Sequence, residues 1–136
     1  MDSNKINIAK GKYAIGVQTL KKDADEPSAM ANYLSQVAIV TNEEDIFALS
    51  LLLQSQTTIT GFQVENNQGE FMDAMEKQID EEMDRRYEMF KLDYLPANLN
   101  VRVQYEVEHE GKSFEGDEEL RLAFIEESLE KLPENN

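Results

Sequence analysis

"EFMDAMEKQIDEEMDRRYEMF", residues 70–90, is the stretch on which the fold turns. Phe71, Met75, Ile79, Met83 and Tyr87 recur in it at four-residue steps, with Met72 and Phe90 flanking, which is the pattern of one apolar helix face. Just upstream, Asn67 is placed to cap a helix, and Glu70 three residues later completes a capping-box-like pair. Glu81 with Arg85 and Glu82 with Arg86 add i, i+4 ion pairs, each contributing about 0.3 kcal/mol. These features predict a long amphipathic helix that ends before Pro96.

Beside the apolar stripe runs a ladder of carboxylates, Glu76, Asp80, Asp84 and Glu88, with Glu81 adjacent. A solvated face that keeps the protein soluble is the plainer account of it. The sharper account is a binding face, because like charges four residues apart destabilise a helix and a basic partner would offset that cost. A divalent-ion site fits poorly, since hard cations need converging oxygens and a helix face radiates them outward.

Downstream, "LNVRVQYEVE" at 99–108 alternates cleanly, with Leu99, Val101, Val103, Tyr105 and Val107 on one face, and reads as a strand in a sheet with one wet side. Gly111 marks a turn. Asp117 is placed to cap a last helix in which Leu122, Ile125, Leu129 and Leu132 share a face, with Pro133 as its stop. Upstream, residues 5–20 alternate with a change of parity near Gly11, which suggests a bulged strand or two short ones. Pro27 to Leu34 reads as a brief helical turn or loop before a strand ending near Thr41, and 45–65 reads as extended, broken near Ser55. The expected fold is therefore α+β: an antiparallel β-sheet with a long amphipathic helix and a C-terminal helix packed on one face, in a single domain spanning residues 1–136.

Composition narrows the function classes. Apolar residues make up 40% of the chain, and there are six Phe and five Tyr, enough to close a core. There is no cysteine, which rules out disulfides and thiol chemistry and suits the cytoplasm. No signal-peptide pattern opens the chain, and no apolar run approaches the length of a membrane span. The formal net charge is −15, and it is uneven. Residues 1–62 carry five Lys and seven Asp or Glu, whereas residues 63–136 carry eight Lys or Arg and 21 acids. Such a field repels phosphate backbones and anionic lipid, so neither direct nucleic-acid binding nor membrane binding is expected.

Catalytic and metal-binding motifs do not assemble. Gly111-Lys112-Ser113 resembles the end of a phosphate-binding loop, but the position five residues before Gly111 is Glu106 rather than glycine. Glu106 and His109 have the Glu-x-x-His spacing of carboxylate metal sites, but on a strand and without a second copy. The sequence thus predicts no catalytic residue, metal or cofactor, and no family signature is recognisable in it. Its expected role is a non-enzymatic acidic protein that occupies a basic, nucleic-acid-handling protein partner through Glu76, Asp80, Asp84, Glu88 and Glu81, as an inhibitor or decoy. The alternative is a chaperone or assembly adaptor that binds unassembled chains through apolar surface and an open sheet edge. A hydrolase using scattered carboxylates is a third class, and a homo-oligomer is compatible with the methionine stripe or a free edge.

Overall fold

Residues 70–90 are not helical. In the computed structural model, which describes residues 5–44, 46–55 and 57–133, they form three strands. The element order is β1 (Gly11–Lys21), a 3-10 helix (Ala29–Tyr33), β2 (Val37–Glu43), β3 (Ile46–Leu53), β4 (Ile59–Glu65), β5 (Phe71–Asp73), β6 (Glu76–Asp80), β7 (Arg85–Leu92), β8 (Asn98–His109) and β9 (Lys112–Lys131). Every pairing is antiparallel, and the strands join in one sheet in the order β5-β4-β8-β9-β1-β2-β3-β7-β6. The sheet curls on itself. Phe62 of β4 and Phe90 of β7, near its opposite margins, meet with ring centroids 5.9 Å apart. Only Ala74 and Met75 separate the two marginal strands, so residues 71–80 cross the seam of a half-barrel.

The expected α+β architecture is thus corrected to a nearly all-β one, and the reason lies in the spacing. The four-residue step mimics a helix face by coincidence: Phe71 lies on β5, Met75 between strands, Ile79 on β6, Met83 in a turn and Tyr87 on β7, and Met75, Ile79 and Met83 are exposed. The intended caps do other work. Asn67 Oδ1 accepts from the Asp93 N–H at 2.7 Å, and Asn66 Oδ1 accepts from the N–H groups of Gln68 and Glu70, closing an Asx turn. Residues 81–84 are a turn in which Asp80 Oδ1 accepts from Met83 N–H and Asp84 adopts φ +53°.

The expected C-terminal helix is strand β9, whose alternating Leu120, Leu122 and Phe124 are buried. Its pairing with β1 slips between Ala14 and Gly16, and Ser128 Oγ fills the gap by accepting from Gly16 N–H. The expected strands within 45–65 are β3 and β4, parted around Ser55, and β8 covers the alternating stretch, but β1 begins only at Gly11, so the strand expected over residues 5–10 is corrected to an isolated bridge at Lys5 followed by irregular chain.

The core lies inside the curl. Ile15, Val40, Leu49, Leu53, Ile59, Val64, Leu95, Val101 and Val103 have no exposed surface, each contributing roughly 1.5–3 kcal/mol by burial. Two charges share this interior. Arg86 and Glu88 point inward from β7 and pair at 2.6 Å, Glu88 being fully buried. Among the described residues, no helix is long and apolar enough to cross a membrane.

Candidate functional site

The sequence-proposed acidic face does not survive as one surface. Glu76 and Asp80 lie on β6, opposite Met89 and Arg85, and Asp80 pairs with Arg85 at 3.4 Å. Glu81 is exposed in the turn that follows. Asp84 locks that turn onto the β3–β4 connection: its carboxylate accepts from Thr57 N–H at 3.1 Å, Thr57 Oγ at 3.1 Å and Ser55 Oγ at 3.4 Å. Glu88 is inside the barrel. Glu76, Asp80, Asp84, Glu88 and Glu81 are therefore distributed among an edge strand, a turn, a loop lock and the core, and cannot face one partner together.

A different feature stands out at the end of the barrel where β1, β3 and β8 finish. The β8–β9 hairpin runs in unbroken register from Asn98↔Ala123 to His109↔Lys112 and closes on Glu110 and Gly111, both at positive φ, as a two-residue turn requires. Its flanking strands stop earlier. β4 accompanies β8 only as far as Tyr105, opposite Ile59, and β1 accompanies β9 only as far as Leu120, opposite Lys21. The remaining rungs project alone.

Strand alternation carries the inward face of the hairpin past the core. Leu99, Val101 and Val103 are followed on the same side by Tyr105 and Val107; Leu122 and Leu120 are preceded by Glu118, Gly116 and Phe114. Burial falls away along this face. Tyr105 and Val107 are half-buried, and Phe114 is 51% exposed. The outer side is acidic, with Glu106, Glu108, Glu115 and Glu119 exposed; Asp117 is gripped there by Arg102 through two bonds of 2.9 and 2.6 Å.

Tyr105 and Gly116 form one rung, and the phenol ring lies across the bare glycine: a Cβ on Gly116 would collide with ring carbons and the hydroxyl. Such cover of a glycine by a cross-strand aromatic ring stabilises a sheet locally. Tyr105 Oη donates to Glu118 Oε1 at 3.4 Å. Burial, then the charge of Glu118 and this hydrogen bond, raise the phenol pKa above its usual value, so the hydroxyl keeps its proton at neutral pH.

The 3-10 helix lies across the same end. Ser28 caps it by accepting from Met30 N–H at 3.0 Å. The loop before it is tied to the base of β9 by Lys22 with Glu119 at 3.3 Å and by Arg121, which bonds Asp25 and the carbonyl of Ala24. The segment after it joins β3: Gln54 N–H donates to Tyr33 O at 2.8 Å, and Leu34 bridges to Leu53. A cleft of about 330 Å³ separates this lip from β1, lined by Val17, Thr19, Leu20, Pro27, Ala31 and Ile125 among others.

Sequence reasoning had placed Tyr105 and Val107 on one strand face but gave no role to Phe114, Gly116 or Glu118. One signal was present: an isolated glycine inside an alternating run marks a close approach, and Gly116 is such a residue.

Comparison with known proteins fits this architecture. The family model of the NEAT, or Iron Transport-associated, domain matches residues 7–124. Among solved structures, the NEAT5 domain of IsdX2, a B. anthracis hemophore in complex with heme, superimposes with a TM-score of 0.76 at 26% identity, covering 86% of this chain and 97% of that one. A point mutant of that domain, also in complex with heme, gives the same TM-score and identity over 87% and 97%. No curated protein sequence matches. The acidic inhibitor and the chaperone alternative are overturned by these matches, as is the α+β description. With a family model matched over nearly its whole described length, the chain belongs to the Iron Transport-associated, or NEAT, domain family.

Proposed function

We propose that this protein is a non-enzymatic carrier of heme, held at the barrel end between the 3-10 helix and the inner face of the β8–β9 hairpin. The observation that carries the reading is the uncovered apolar run Tyr105, Val107 and Phe114, which continues a core face beyond its last covering strand. A flat apolar ligand laid on it would remove that surface from water, worth about 25 cal/mol per Å². The residues fit such a cargo. Gly116 keeps the hairpin face thin, the 3-10 helix is fastened on both flanks as an opposing lip, and aromatic and aliphatic side chains supply the wall. Both solved relatives named above contain heme.

Titration of the purified chain with hemin tests this. We expect a saturable shift of the main heme absorption band at one hemin per chain. Phe114→Asp should weaken binding by at least about tenfold, because a carboxylate would be buried against the ligand, with little change in unfolding midpoint. Absence of a saturable spectral change would overturn the proposal.

A further inference from the structure

At the barrel end opposite the hairpin tip, where β4 finishes and β8 begins, a second cleft of about 430 Å³ opens. Its size falls within the roughly 300–1,000 Å³ of small-ligand sites, but its lining is unusually polar: Asn66, Asn67, Asn98, Asn100 and Glu65 all contribute. The walls are fixed. Asn67 Oδ1 accepts from Asp93 N–H at 2.7 Å and its Nδ2 donates to Tyr94 O at 3.3 Å, tying the turn after β4 to the chain after β7. Gln68 Nε2 adds a bond to Asp93 Oδ2 at 3.1 Å.

The other three asparagines each commit one amide atom to the protein. Asn66 Oδ1 accepts from the N–H groups of Gln68 and Glu70, Asn98 Oδ1 accepts from Arg121 at 2.8 Å, and Asn100 Nδ2 donates to Glu65 Oε1 at 3.3 Å. Each partner admits only one orientation of the amide, because N–H groups and a guanidinium only donate and a carboxylate only accepts. Two donors, Asn66 Nδ2 and Asn98 Nδ2, and two acceptors, Asn100 Oδ1 and Glu65 Oε2, are left without a bond among the described residues.

We propose that this cleft binds a neutral saccharide. A sugar hydroxyl is donor and acceptor at once, so a rim that mixes orientation-fixed amide donors with carbonyl and carboxylate acceptors matches a row of hydroxyls. Tyr94, Pro96 and Leu99 supply an apolar wall for the C–H face of a sugar ring, and Lys5 Nζ sits over the Tyr94 ring at 4.5 Å. Charge selects against acids. Among the described residues no Lys or Arg lines the cleft, Glu65 does, and residues 63–136 carry 21 acids against eight bases, so phosphate, sulfate and uronic acids are repelled. A divalent cation would find a single carboxylate there.

Asn100 precedes Tyr105 by five residues on β8, about 17 Å along the strand, so this cleft and the hairpin face do not overlap. Saccharide binding here is independent of the heme-carrier reading. A carrier built this way holds to a neutral glycan at one end while the other end takes its cargo.

The test is a nitrogen-15 NMR titration of the full chain with five probes at millimolar concentration: cellotriose, maltotriose, mannotriose, triacetylchitotriose and the acidic trigalacturonate. At least one neutral trisaccharide should shift the side-chain amides of Asn66 and Asn98 and the backbone of Gly69 saturably, and trigalacturonate should shift none of them. The double variant Asn66→Asp with Asn98→Asp keeps both structural acceptors but turns the two donors into acceptors. It should weaken binding at least about tenfold, the scale of two lost hydrogen bonds. Asn100→Ala, which removes one acceptor, should weaken it about fivefold. Unchanged resonances away from the cleft show that the variants are folded. No saturable shift with any neutral probe, equal binding of trigalacturonate, shifts centred on Phe114, or undiminished affinity in folded variants would each overturn the proposal. Hemin binding, measured separately, leaves each of these outcomes as it is.

Discussion

Strands β7 and β8 both send alternate side chains into the barrel, but they fill those positions differently. β8 places Leu99, Val101 and Val103 inward, all buried, with Asn100 and Arg102 outward. β7 reverses the pattern in its first half: Arg86 and Glu88 point inward, and Tyr87 and Met89 point out. Hydrophobic alternation therefore reports the inside of β8 and the outside of β7. The difference shows that a single inward ion pair can invert the apparent face of a strand.

The largest test of that contrast is to remove half of the pair. Arg86→Met would leave Glu88 buried without the cation at 2.6 Å, and one Glu88 oxygen, Oε1, already lacks a hydrogen bond. Loss of one partner of a buried ion pair destabilises by roughly 3–5 kcal/mol. The double variant Arg86→Met with Glu88→Leu should recover most of this, because an apolar pair restores normal alternation to β7 at no desolvation cost. Urea unfolding of the three proteins decides it. A double variant as unstable as the single one would mean that the pair holds the barrel in a way that apolar packing cannot replace.

The same contrast explains how much of the fold was legible. β8, and the division of 46–65 near Ser55, could be read because local alternation agreed with the tertiary environment. Residues 70–90 could not. Their outward Tyr87 and inward Glu88 inverted the apolar pattern of β7, while Phe71, Met75, Ile79 and Met83 kept a helical step although they fall in two strands, a connection and a turn. At the C-terminus Leu122, Ile125 and Leu129 mimicked a helix face, although Leu122 and Ile125, in unbroken register with β1, point to opposite sides of β9 and only Leu129 lies within the slip. The site was half legible. Tyr105 and Val107 were visible as one face of a strand, but that this face outruns its neighbours depends on where β1 and β4 stop, which is a property of pairing and not of the hairpin's own residues.

A middle-sized test sets the buried rungs against the apolar stripe that sequence had placed in the core. Leu122→Ala, at 1% exposure, should cost about 2–5 kcal/mol through lost transfer energy and the cavity left behind. Met75→Ala, Ile79→Ala and Met83→Ala, at 63%, 56% and 58% exposure, should each stay within about 0.5 kcal/mol. A helix packed through that stripe would give the opposite ranking, so equal losses at Leu122 and Ile79 in chemical denaturation would sharpen the case against the strand assignment.

The smallest effect belongs to the outer side of the hairpin, where charge sits in water and not in the core. The hydrogen bonds from Arg102 hold Asp117 below the usual carboxylate range, with the guanidinium charge adding to them and partial desolvation opposing. Because the folded pKa is depressed, the stabilisation is complete above the unfolded value, near 3.8, and is lost as pH falls through the lower folded one. The pair is solvent-exposed, so its contribution should be small and should shrink further in high salt. Asp117→Asn should melt slightly below native at neutral pH in low salt, with the gap closing on acidification below that range. A gap that persists in acid would mean that Asp117 acts through its packing on β8. Asp117 would then stabilise the hairpin through its fit beside Arg102 and not through its charge.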